Sequence, residues 1–330
     1  MNYVIEESAK IKVDLEPIVH KKMNVFYNPD MKLNRDLSIY ILQEYSKDNW
    51  RVGLPLAGSG IRAIRIKKEV TNELEIHVND LKQDFKERID ETCRLNEVEL
   101  NVHNEDANVF LSKHKFDYVD VDPFGSPNPF LDSAVRSLKN KGILAVTATD
   151  TGALCGSFVN ACKRKYWAKP KRDERMHENG LRILIRKIQL VGAQHSLALI
   201  PIYSISQLHY MKVFFFVDKG KKKVDELLKK HDFKEDVGPM WIGDLWDSEL
   251  AKNICLKSDD KITKLIYEES LIKGELYDVH QMAKRNNLKS IPKFEDILSN
   301  IKGSRSHFDD KCIRTKLNEK EIVKVIQQLF

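Results

Sequence analysis

Phe116-Asp117-Tyr118-Val119-Asp120-Val121-Asp122-Pro123-Phe124-Gly125-Ser126-Pro127 reads as a short buried strand, residues 116–121, that runs into a turn carrying a carboxylate, a proline, an aromatic ring and a glycine. The strand part is β-branched and aromatic, the composition a pleated, half-buried surface favours. A helix start follows: Ser126 can cap it and Pro127 can take its first position, where the missing N–H costs nothing. Phe130, Ala134 and Leu138 recur at helical spacing with Leu131 and Val135 beside them, so one face of that helix is apolar. The turn therefore projects from the carboxyl end of a strand, where open α/β sheets place ligands.

Such a turn suits modification of an amino group on a flat heterocycle. The lone pair of a nucleobase amine is delocalised into the ring. An acceptor that takes one of its N–H groups turns that lone pair toward an electrophile. Asp122 and the Pro123 carbonyl can be acceptors and Phe124 a stacking platform, a pattern similar to the Asp/Asn-Pro-Pro-aromatic signature of amino-directed methyltransferases, here with a single proline. Read in isolation, Asp122 can equally be an ordinary helix cap.

Upstream, the pattern predicts an apolar strand from Trp50 to Leu56, then Ala57-Gly58-Ser59-Gly60 and a helix opening at Ile61-Arg62-Ala63-Ile64-Arg65. Glycines at a strand-to-helix turn let a ligand approach the backbone, and a helix N-terminus favours anionic groups. The third glycine of a dinucleotide fingerprint and a Walker lysine are both missing. A second strand, Leu74 to Val78, ends in Asn79-Asp80, where an acid can hold ribose hydroxyls or cap the helix predicted from Leu81 to Leu95. A third strand, Val98 to His103, leads to Glu105-Asp106-Ala107, and Asp106 can accept an adenine amine. A fifth is expected from Gly142 to Thr149, and Ala198 to Ser206 and Tyr210 to Val217 look like the last pair. This rhythm is that of a doubly wound, Rossmann-like α/β sheet.

Before the first strand, Asn28-Pro29-Asp30 marks a turn, and Asn34-Arg35-Asp36-Leu37-Ser38 enters a helix with Leu37, Ile41 and Tyr45 on one face. Beyond the sheet, Lys163-Arg164-Lys165-Tyr166-Trp167-Ala168-Lys169-Pro170-Lys171-Arg172 mixes cations with two rings, suiting phosphate contact plus base stacking, though charge runs are often just solvated. His177 lacks partner ligands at metal-binding spacing. A loop is expected at Gly238-Pro239-Met240-Trp241-Ile242-Gly243, and another at Ser304-Arg305-Ser306-His307, where phosphate contact competes with plain exposure. The tail reads as a small, mainly helical domain of winged-helix type with helices near residues 277–286, 294–301 and 319–329 and no sustained β pattern.

The 330 residues leave room for one large domain and a smaller one, and 55 Lys+Arg against 49 Asp+Glu, a net charge of +6, mildly favour a polyanionic partner. The five cysteines include no C-x-x-C pair, which argues against a disulfide framework or zinc ribbon. No apolar run reaches the ~20 residues that span a bilayer, and the N-terminus is charged, so a cytoplasmic protein away from membranes is expected.

In combination, Val25-Phe26-Tyr27-Asn28-Pro29, Asn34-Arg35-Asp36-Leu37-Ser38, Asp122-Pro123-Phe124-Gly125-Ser126-Pro127, Val146-Thr147-Ala148-Thr149-Asp150, Ala161-Cys162-Lys163-Arg164-Lys165-Tyr166 and His177-Glu178-Asn179-Gly180-Leu181-Arg182-Ile183-Leu184 resemble, in content and order, the tRNA guanine-26 N2-dimethyltransferases of archaeal type. The resemblance implies a class I, Rossmann-like methyltransferase over residues 1–247 with an N-terminal extension, and a smaller tRNA-binding domain over 248–330. S-adenosylmethionine is the implied cofactor and tRNA the implied partner, with no obligate protein partner evident. It implies that Arg35 and Arg65 lie at or around the cofactor's carboxylate end, with Gly58 and Gly60 in the turn beside it. Asp80 would hold the ribose, and Asp106 and Ala107 would meet the adenine. Asp122, with Pro123, would accept from N2 and take its proton, and Phe26 and Phe124 would sandwich the guanine. Lys163, Arg164, Lys165, Lys171 and Arg172 would contact RNA. Many relatives carry cysteine pairs after the last sheet strand; residues 219–237 here have none, so no metal is expected. Two rivals stay open on residues alone: an amino methyltransferase acting on adenine N6 or a protein glutamine, and a non-catalytic RNA-binding protein.

Overall fold

The computed structural model describes residues 2–13 and 27–329. The described chain opens with a hairpin of β1 (Asn2–Glu6) and β2 (Ala9–Val13). The Asn28 side chain then accepts the Asp30 N–H at 3.0 Å and starts a single turn, Pro29–Met31, that runs into α1 (Lys32–Tyr45). Next come β3 (Trp50–Leu54), α2 (Ile61–Glu69), β4 (Leu74–Asn79), α3 (Phe85–Asn96), β5 (Asn101–His103), α4 (Ala107–Lys113), β6 (Phe116–Val121), α5 (Leu131–Ser137) and β7 (Leu138–Ala148). After these follow α6 (Thr151–Leu154), α7 (Val159–Tyr166), α8 (Met176–Gln194), β8 (Leu197–Gln207), β9 (Tyr210–Lys219) and α9 (Lys221–Leu228).

Seven strands form the sheet in the order β5-β4-β3-β6-β7-β9-β8. Pairs β3/β4, β4/β5, β3/β6 and β6/β7 are parallel, so their carboxyl ends lie at one edge. The chain steps outward from β3 to β4 and β5, then returns to the other side of β3 with β6. That reversal is the switch point at which doubly wound sheets open a crevice. It lies between the glycine turn after β3 and the Asp122 turn after β6.

Element boundaries moved for local reasons. The helix expected at Leu81 begins at Phe85, because Asp80 Oδ1 accepts the Lys82 N–H at 3.1 Å and shapes a turn first. Val98 does not start β5: its N–H closes the end of α3 onto the Cys93 carbonyl at 3.1 Å, and Val98 and Leu100 pack with Ile11 and Ile64 beneath the hairpin. The helix expected from Pro127 to Leu138 begins as a tight turn, Asn128–Phe130, and Leu138 leaves it to pair with Phe116 in the sheet.

The chain divides into two compact units: residues 1–150, 188–200 and 212–229, and residues 151–187, 201–211 and 230–330. The second contains the hairpin β10 (His231–Lys234) and β11 (Val237–Trp241), where a loop was expected. It continues with α10 (Ser248–Lys257), α11 (Lys261–Ser270), β12 (Glu275–Asp278), α12 (Val279–Arg285), α13 (Phe294–Ile301), β13 (Ser304–Arg305), β14 (Cys312–Thr315) and α14 (Glu319–Gln328). Helices dominate this tail as expected, but β12, β14 and β13 also form a three-stranded sheet that the sequence pattern does not show. Val279, Met282, Ile297, Ile301, Ile313, Ile322 and Ile326 make its core. Ser306 and His307 are not an exposed phosphate loop. Together with Arg314 they ligate the fully buried Glu269 carboxylate, at 2.8 Å from Ser306 Oγ, 2.9 Å from the His307 N–H and 3.1 Å from Arg314 Nε.

Candidate active site

Side chains at alternate positions of a strand share a face, so Tyr118, Asp120 and Asp122 line one side of β6 and its exit. Asp120 is buried and collects the Tyr118 hydroxyl (3.0 Å), the Ser38 hydroxyl (2.8 Å) and the Lys212 ammonium (2.9 Å). Arg62, in the first turn of α2, spans the two carboxylates. Its Nη1 lies 3.1 Å from Asp120 Oδ2 and its Nη2 donates to Asp122. Asn34 Oδ1 accepts from both Arg62 (2.8 Å) and Lys212 (2.9 Å), and its amide nitrogen donates to Thr147 Oγ1 at 3.2 Å. Burial alone would raise the Asp120 pKa, but Arg62 and Lys212 hold it well below the usual carboxylate range. Burial and the neighbouring Arg62 charge push the Lys212 ammonium pKa down. Asp122 thus stands at the mouth of a paired, buried charge network, itself only partly covered.

The turn beyond it is braced. Gly125 adopts φ +83°, a conformation that L side chains rarely adopt. Its N–H donates to Thr149 Oγ1 at 2.6 Å, and its carbonyl accepts the Thr149 N–H at 2.9 Å. Phe124, between that brace and the buried Pro123, keeps 51% of its surface exposed, as a stacking ring requires. Phe26, the other ring implied for the sandwich, lies outside the described residues.

Across the crevice, Gly60 turns into α2 at φ +78°, and a Cβ there would fall 2.1 Å from Ile89 Cδ1. Gly58 donates its N–H to Asp80 Oδ2 at 2.9 Å, tying the glycine turn to the acid at the end of β4. Asp80 stays partly exposed, and the next residue, Leu81, leaves its apolar side chain in solvent. Asp106 caps α4 through Oδ1, to the Asn108 N–H at 2.8 Å and the Val109 N–H at 3.3 Å, with Ala107 buried behind it. A glycine shelf, a carboxylate for hydroxyls, an open apolar side chain and a second acid at successive strand ends fit a nucleoside with an aliphatic tail, as in S-adenosylmethionine.

Arg35 and Arg65 stand elsewhere than at Asp122. Arg35 Nε donates to Glu6 at 2.7 Å, and Arg65 pairs with Glu6 (2.9 Å), Asp36 (2.6 Å) and Glu69 (2.9 Å), both arginines buried. Against the cost of burial, these two cations lower the Glu6 pKa. Sequence reading missed Arg62, Asp120 and Lys212. The last two did leave a signal, a charge inside an otherwise apolar strand run. In the second unit, Lys163, Arg164, Lys165, Lys171 and Arg172 are all exposed. Tyr166 is fully buried and cannot stack on a base, whereas Trp167 is exposed. His177 sits 3.6 Å from the Cys155 sulfur, and among the described residues no His, Cys, Asp and Glu group could hold a metal.

Residues 6–236 and 231–327 match the family model described as N2,N2-dimethylguanosine tRNA methyltransferase. The chain is 36% identical to the tRNA (guanine(26)-N(2)/guanine(27)-N(2))-dimethyltransferase of Aquifex aeolicus, covering 100% of this chain and 96% of that protein. It is also 36% identical to the tRNA (guanine(26)-N(2))-dimethyltransferase of Methanocaldococcus jannaschii, over 94% of each. The solved structure of Trm1 from Pyrococcus horikoshii with S-adenosyl-L-methionine superposes with a TM-score of 0.89 at 30% identity, over 99% of this chain and 100% of that one. The chain belongs to the N2,N2-dimethylguanosine tRNA methyltransferase family.

Proposed function

We propose that this chain transfers methyl groups from S-adenosylmethionine to the exocyclic N2 of guanine 26 in tRNA, once or twice, with Asp122 as the acceptor. The observation that carries the reading is the placement of Asp122: at the switch point, held by Arg62, beside an exposed aromatic ring. The bound cofactor supplies an electrophilic methyl on a sulfonium centre. Gly58 and Gly60 would pass close to it, Asp80 would accept its ribose hydroxyls, and Asp106 and Ala107 would border its adenine. Arg35 and Arg65 would support that wall through Glu6 and Asp36.

A paired guanine cannot present N2 to this crevice, so the nucleotide is flipped out at a cost of a few kcal/mol. Stacking on Phe124 offsets that cost at about 1–3 kcal/mol per stacked base. Asp122, with the Pro123 carbonyl beside it, accepts an N2–H and turns the lone pair toward the methyl. As the new C–N bond forms, the methyl–sulfur bond would break and its electron pair would leave on sulfur as a neutral thioether, while Asp122 takes the proton that leaves the nitrogen. The monomethylated product keeps one N–H, so the same geometry serves a second round. Exposed Lys163, Arg164, Lys165, Lys171 and Arg172 would meet tRNA phosphates in the cytoplasm, where the substrate resides.

A second target, guanine 27, is favoured by the Aquifex aeolicus relative, whose name includes both positions. Mass spectrometry of nucleosides from tRNA incubated with the chain and labelled cofactor, followed by position mapping, tests both. N2-methylated guanosine at 26, with or without 27, supports the reading. Methyl on adenine N6 or on protein, or none at all, overturns it.

A further inference from the structure

Trp167 is an unusual way to end a helix. It closes α7 in the left-handed region at φ 56°, where a bulky residue is a genuine outlier, and it keeps 52% of its surface exposed. Glycine is the ordinary occupant of such a position, so local folding gives no reason for an indole there. Strained backbone persists where surrounding structure holds it, and it gathers at ligand sites. Here the next turn of chain is pinned to β11 by reciprocal backbone hydrogen bonds between Lys169 and Gly238, at 2.7 and 2.9 Å.

The ring does not stand alone. The Lys187 ammonium lies 3.1 Å from its centroid, although Lys187 is only 7% exposed. Among the described residues, Lys187 has no carboxylate partner. Its neighbour Arg186 donates Nη1 to the Trp167 carbonyl at 3.4 Å, while its buried Nε finds no acceptor. Burial lowers the pKa of both cations. A sheltered guanidinium without a carboxylate, beside an indole that Lys187 backs on one face, is half of a binding arrangement whose missing half is an anion joined to a flat ring. Exposed Lys163, Arg164 and Lys165 on α7 add to the positive field.

We propose that Trp167 and Arg186 form a second nucleotide site, which stacks an unpaired tRNA base on the open face of the indole and binds its phosphate through the guanidinium, while Lys187 backs the ring from its other face. This rests on tRNA being the substrate, and it adds a contact distinct from the one that takes the methyl. Base–aromatic stacking tolerates any base, so the site grips the strand without choosing a sequence. The Lys187 ammonium on the far face holds the indole in place through a cation–π contact.

The test is equilibrium binding of an unmodified tRNA transcript to the full chain and to Trp167→Ala, Trp167→Phe, Arg186→Gln and Lys187→Met. S-adenosylmethionine affinity on the same samples serves as a folding control. Trp167→Ala is expected to weaken tRNA binding and raise its KM by roughly 5- to 100-fold, while Trp167→Phe recovers most of the loss. Arg186→Gln should reduce the slope of log affinity against log salt by about 0.7 to 0.9, and Lys187→Met should lower affinity with little change in that slope. The fluorescence difference between the wild-type chain and Trp167→Phe should be quenched as tRNA is added. Trp167→Ala binding within about twofold of wild type, Trp167→Phe as weak as alanine, or an unquenched indole each overturns the site. If the wild-type chain binds tRNA but yields no N2-methylguanosine, the catalytic reading fails while the binding comparison still decides this one.

Discussion

Arg62 and Lys212 give the candidate site its shape, and each can be removed singly. Arg62 holds Asp122 and Asp120 together from one helix turn. With Arg62→Gln the Asp122 carboxylate is free to swing, and a displacement of this kind is worth about 10²-fold in rate. Single-turnover methyl transfer at saturating cofactor and tRNA checks it; a wild-type rate would show that Asp122 is oriented by something else. Lys212→Met leaves buried Asp120 short of one cation, and breaking a buried pair costs about 3–5 kcal/mol. Urea unfolding measures that loss. The double variant Asp120→Asn with Lys212→Met should recover part of it, since neighbours in one network are not additive.

The turn between β3 and α2 carries a prediction of its own. Gly60→Ala places a Cβ in left-handed backbone at a cost of about 1–2 kcal/mol, and Ile89 must shift to admit it. Thermal unfolding should register that loss together with weaker S-adenosylmethionine binding. Equal stability of the alanine and glycine forms would remove the glycine's structural reason. What could be read in advance follows the same local logic. The β6 strand and its turn were legible because apolar alternation, proline and glycine all act within a few residues. Arg62 was not, because Ile61-Arg62-Ala63-Ile64-Arg65 offers two arginines of identical local character, and only the fold sends one to Asp122 and the other to Glu6. Nor were β12, β13 and β14, which at two to four residues are too short for alternation to show. Tyr166 and Trp167 differ only in where the end of α7 points them.

For the chain as a whole, pH is the lever. His77, His103 and His114 lie with ring centroids 4.9–5.4 Å apart, beside Glu75, Arg51, Glu105 and Lys113, and burial lowers the pKa of each. His231 is pushed down to about 4 by burial, then by Arg186. Below the ordinary histidine value of about 6.5 the unfolded chain takes up protons that the folded chain refuses, so stability present above that value is lost as pH falls toward the folded pKa values. The urea midpoint should therefore fall between pH 7 and pH 5, and His231→Gln should flatten the fall; a midpoint that rises over that interval would contradict the burial of these rings. The family assignment accounts for the layout of the sheet, its switch point and the acids at its strand ends. Chemistry enters at one of those acids. The most direct measurement is single-turnover methyl transfer to a tRNA transcript by the wild-type and Asp122→Ala chains, with cofactor affinity determined on the same samples. The expected result is N2-methylguanosine from the wild type and a loss of about 10²- to 10⁴-fold or more in the variant, at cofactor affinity within about threefold. A variant that transfers methyl at close to the wild-type rate would contradict the account.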